Sequence, residues 1–139
     1  MNRRLFLIVT AIFLSMPAWA EGLRNVAHYN IRNGLGLKGF DPVAVFPEGG
    51  GAAVEGKPQY RVDYMGVSYL FSSQSNRSLF MQNPAKYEPS YGGWCAYAMA
   101  SGSKVDIQPQ VFTLHGNRAH YFVSSRAKQN FDLDVAGYE

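Results

Sequence analysis

One cysteine, Cys95, in a chain of 139 residues excludes an intramolecular disulfide, the usual reinforcement of a small exported domain. The roles left to that thiol are packing, metal ligation, redox exchange with a partner, or a bond to a second chain. Runs of basic residues are also missing. Of the 13 Lys and Arg, the 11 beyond residue 20 are scattered, and without a clustered patch neither a nucleic acid nor an anionic membrane has a surface to bind. Beyond residue 14 no apolar run is long enough to span a bilayer. There is no internal repeat, no Ser/His/Asp order, no glycine-rich phosphate loop and no two-histidine zinc motif.

What is present begins with a leader. "MNRRLFLIVTAIFLSMPAWAEG" carries two arginines, an apolar run over residues 5–14, and the small-x-small triplet Ala18-Trp19-Ala20. This pattern predicts a secretory signal peptide over residues 1–20, cleaved after Ala20, and a periplasmic destination. The arginine pair also resembles the twin-arginine export signal. Cleavage removes Arg3 and Arg4, so 11 Lys and Arg remain against 10 Asp and Glu, and the formal net charge falls from +3 to +1. Near-neutrality gives no charge-based partner, and no membrane insertion is expected after processing. About 120 residues are left, enough for one domain with a real core, and nine Tyr with nine Phe make that core aromatic.

Residues 21–38 are polar and Gly-punctuated and read as an N-terminal arm; residues 39–139 read as the domain. Asp41-Pro42 sets a turn before a short apolar strand over residues 43–46. "QYRVDY" and "VSYLF" alternate in polarity around Met65-Gly66 and predict a hairpin. A helix follows, capped by Ser72 or Ser73, apolar at Leu79 and Phe80, and ended by Asn83-Pro84. A short helix over residues 94–100, a second hairpin in "VFTLHGNRAHYFV" and a polar helix in "SRAKQNFDLD" complete the chain. The order predicts an α+β fold, a small antiparallel sheet of two hairpins with short helices packed on it.

"YGGWCAYAMASG" holds the chemistry. The glycines before it and the alanines after it place Cys95 in the first turn of a short helix, packed by Trp94 and Tyr97 on the first hairpin. There the helix dipole favours a thiolate. Met99, four residues on, shares the helical face, and a thiolate with a thioether offers Cu(I) two soft ligands. Packing explains such a pair as well, since cysteine and methionine are common core residues. In the second hairpin a Gly116-Asn117 turn pairs His115 with Arg118 and Thr113 with His120. The histidines then share a face opposite Phe112, Leu114, Ala119 and Tyr121, which places them toward solvent. His28 carries no signal, and Asp63 stands isolated.

Taken together, "KGFDPVAVF", "YMGVSYLFSSQSNRSLFMQNPAKYEPSYGGWCAYAMASG" and "SGSKVDIQPQVFTL" resemble the single-cysteine form of the exported YHS-domain proteins, over residues 37–131. The resemblance implies a small α+β domain with a role in handling heavy metals, copper above all. It places the family's cysteine on Cys95, its tyrosine-glycine block on Tyr91, Gly92 and Gly93, and its Asp-Pro on Asp41 and Pro42. Multi-cysteine relatives supply thiolates that are absent here. Where the family has tyrosine, tryptophan and tyrosine, this chain has Val45, Phe112 and His120. The expectation is a periplasmic, non-enzymatic, copper-binding or other soft-metal-binding domain, with Cys95, Met99 and His120 as metal ligands. The alternatives are a thiol-disulfide or peroxide-reactive protein, and an interaction module whose thiol is inert. A periplasmic protein partner and a dimer disulfide-linked through Cys95 belong to the same set of expectations.

Overall fold

Three two-residue turns set the framework of the computed structural model, which describes residues 24–138. The expected leader and its cleavage after Ala20 lie outside the described residues. Strands β1 (Ile31–Arg32) and β2 (Leu35–Gly36) are joined by Asn33-Gly34, β3 (Lys57–Tyr64) and β4 (Val67–Phe71) by Met65-Gly66, and β5 (Gln108–His115) and β6 (Arg118–Phe122) by Gly116-Asn117. All six turn residues have positive φ, the turn geometry whose twist matches that of paired strands.

The first of these hairpins corrects the reading of residues 21–38 as an arm. Asn33-Gly34 is a strong hairpin dipeptide, and β2 runs on to pair in parallel with β4 through Leu35 and Ser68. One sheet therefore has the order β1-β2-β4-β3, and β5-β6 forms a second, separate sheet. The fold is α+β, and its two predicted hairpins fall in different sheets. A second correction concerns residues 43–46, which are a buried turn rather than a strand. Asp41 Oδ1 accepts from the backbone N of Val43 (2.7 Å) and Ala44 (3.1 Å), which curls the chain before it can extend.

Helix α1 (Gln74–Gln82) starts where Ser73 Oγ accepts from Asn76 N and stops at Asn83. Pro84 then opens α2 (Pro84–Tyr87). The cysteine segment forms only one turn, α3 (Ala96–Met99). Helix α4 (Ser125–Leu133), capped by Ser124, and the short α5 (Val135–Tyr138) follow the second hairpin. No described helix is long and apolar enough to cross a membrane.

One aromatic core joins both sheets, with Phe71, Phe80, Tyr69, Phe122 and Phe131 fully buried. The predicted register of the second hairpin is the observed one, Thr113 opposite His120 and His115 opposite Arg118. Its predicted faces are not. His120 is 3 % exposed while Leu114 is 38 % exposed, because α4 lays Phe131 against His120 (ring centroids 5.3 Å) and Phe122 (5.2 Å). Covering both faces of β6 erases the alternation that would distinguish inside from outside.

Candidate functional site

Three consecutive residues with positive φ, Tyr91 (54°), Gly92 (62°) and Gly93 (86°), turn the chain just before the cysteine. Gly92 is there for a close approach as well as for its φ. A Cβ on it would meet His28 O at 3.1 Å and Tyr29 Cα at 3.3 Å, and Gly92 O accepts from Asn30 N. The turn therefore fastens residues 28–30 against the cysteine segment.

Cys95 is not inside a helical turn. It is the N-cap of α3, its side chain makes no capping bond, and a four-residue helix has little dipole to offer. Its backbone N donates to Val105 O (2.9 Å), and its carbonyl accepts from Met99 N (3.0 Å). The sulfur is 0 % exposed, within the hydrophobic core. The packing of α3 also differs from expectation, since it rests mainly on β6, α4 and the Ser90–Gly93 turn rather than on the first hairpin. Two residues in the αL region at Tyr91 and Gly92 redirect the chain toward the second sheet.

Met99 faces the other way, onto the wall of an open hollow of about 420 Å³ that Arg24, His28, Tyr29, Tyr91, Trp94 and Lys104 also line. Trp94 Nε1 donates to His28 O (2.8 Å). Asn25 Oδ1 accepts from Ala27 N, which turns Asn25 Nδ2 toward His28 Nε2 at 3.4 Å. The Trp94 ring has Arg32 at 5.9 Å and Lys104 at 6.0 Å from its centroid, both at the limit for a cation–π contact.

One wall of the hollow is locked by a half-hidden ion pair. Arg24 Nη1 and Nη2 donate to the two carboxylate oxygens of Glu88 at 2.7 and 2.9 Å. Its other N–H groups go to Tyr29 Oη, Tyr64 O and Met65 O, so all the donors of the fork are used. Its guanidinium stacks 4.3 Å from the Tyr29 ring. Tyr69 Oη donates to the same carboxylate (2.7 Å); burial, and then the charge of Glu88, push this phenol well above its ordinary range, so it remains a donor.

His120 lies elsewhere, in a groove shared with Ser90, Tyr91, His115, Gly116 and Arg118. The three expected ligands are thus split between the core (Cys95), the hollow (Met99) and this groove (His120). Among the described residues no three His, Cys, Asp or Glu come together as a metal group. The hollow is instead lined by both Met99 and His28. A thioether and an imidazole fit a soft or borderline metal, Cu(I) in particular, and Trp94 adds a π-face for the cation. Sequence spacing gave no sign of this, since His28 lies 71 residues before Met99. The chain matches no family model, no curated protein and no solved structure.

Proposed function

We propose that the protein is a non-enzymatic, exported binding domain for a soft metal ion, Cu(I), held in the hollow by His28 and Met99 against the face of Trp94. The observation that carries this reading is that a thioether, Met99, and an imidazole, His28, both line one solvent-open hollow. The resemblance to the YHS-domain proteins points to the same class of ligand. Cys95 then acts from beneath: its carbonyl fixes the backbone of Met99, and its thiol is packing. A thiol enzyme is disfavoured by the same burial, because an attacking sulfur must be reached.

Competition against a chromogenic Cu(I) chelator tests the site. The reduced protein is expected to bind one equivalent. Met99→Leu, which conserves volume, and His28→Asn each weaken binding by about tenfold or more, the scale on which even outer-shell partners act. Cys95→Ser binds as the native protein does. Loss in Cys95→Ser alone moves the site to the thiol; no binding by the native protein leaves an interaction module. Export is tested separately by the intact mass of the secreted form, which should begin at Glu21.

A further inference from the structure

We propose that the groove between the β5–β6 turn and the Ser90–Gly93 turn binds small carboxylates, independently of the metal site. It measures about 370 Å³ and is lined, among the described residues, by Ser90, Tyr91, His115, Gly116, Arg118 and His120, none of them acidic. Antiparallel pairing puts His115 opposite Arg118 and His120 opposite Thr113, so both imidazoles and the guanidinium project from one face. The two rings lie 6.1 Å apart between centroids.

Arg118 is the anchor. It is part-buried, and its Nη2 donates to a neutral group, Glu88 O (2.9 Å). The side chain of that same Glu88 is engaged elsewhere, its carboxylate held by Arg24 and Tyr69. Arg118 Nε is buried and has no acceptor among the described residues. A buried N–H on a permanent cation is costly to leave unbonded, and a planar carboxylate answers it in shape and charge. The Ser90 hydroxyl brings a further donor to the same space. A divalent metal on the two histidines would have to approach the fixed positive charge of Arg118, which repels it.

The test follows the ring resonances of His115 and His120 in the labelled full-length protein by NMR. Sodium acetate, then succinate, is titrated against sodium chloride at constant ionic strength. Both rings should shift together and saturably with carboxylate and not with chloride. Arg118→Gln should weaken binding by about tenfold or more, the scale of one charge-assisted bond, while Arg126→Gln, an exposed change on α4, leaves it unchanged. Where Arg118→Gln loses its native amide dispersion, Arg118→Lys is read instead. It keeps the charge, loses the fork, and should bind more weakly than the native protein. Native-strength binding in either folded variant overturns the proposal, as do an equal response to chloride, tighter binding of inorganic phosphate than of acetate, or zinc binding that strengthens in Arg118→Gln.

Discussion

Asp41 is 1 % exposed and, among the described residues, meets five donors and no cation. Oδ1 takes Val43 N and Ala44 N; Oδ2 takes Ser72 N, Ser72 Oγ and Asn76 Nδ2. Sequence made half of this legible: an Asp before Pro orders the turn that follows. Ser72 and Asn76 are more than 30 positions away and gave no hint. Asp41→Asn turns one acceptor into a donor facing donors and should cost about 3 kcal/mol in urea unfolding. Lys104 is the counterpart in the hollow. Its ammonium stands at the edge of the Trp94 face, where Cu(I) is proposed to sit, and like charges oppose one another. Lys104→Gln should therefore tighten Cu(I) binding in the chelator assay; weaker binding would contradict the placement of the metal beside Trp94.

Elements were legible where local chemistry decides them. Turn dipeptides gave the β3–β4 and β5–β6 hairpins and a serine cap gave α1, nearly to the residue; α4 was read from its polar run "SRAKQNFDLD". Where a distant element decides, the pattern misled. β6 is buried on both faces because α4 covers one of them, and the helix of Cys95 is a single turn because Tyr91 and Gly92 break the chain before it. Residues 24–30 show the same dependence. They hold no pattern of their own, and their place is set by Arg24 reaching Glu88, with side-chain exposures of 15 % and 11 %. Arg24→Ala strands a buried carboxylate and should cost about 3 kcal/mol. Because those residues form the wall that carries His28, the same variant should also bind Cu(I) more weakly at temperatures where it remains folded. Unchanged affinity would detach His28 from the site.

Across the whole molecule, acid should destabilise the fold through carboxylates that hold separate segments together. Burial alone would raise Asp106, but bonds from Asn30 and Lys38 outweigh it and hold its carboxyl at about 2. The Lys86 bond holds Glu48 at about 2 as well. Both are charged in the native state and take up protons more readily when unfolded, so their contribution is complete above the ordinary carboxylate range and is lost as pH falls from about 4.5 toward 2. Thermal melts across that window should show a falling midpoint, less steeply in Asp106→Asn.

Under the proposal, Cu(I) binds at the surface hollow and not at the buried thiol. X-ray absorption at the copper edge of the stoichiometric Cu(I) complex tests it most directly. It predicts nitrogen plus one thioether sulfur around copper, with the same spectrum in Cys95→Ser. A short thiolate bond that disappears in Cys95→Ser would contradict it.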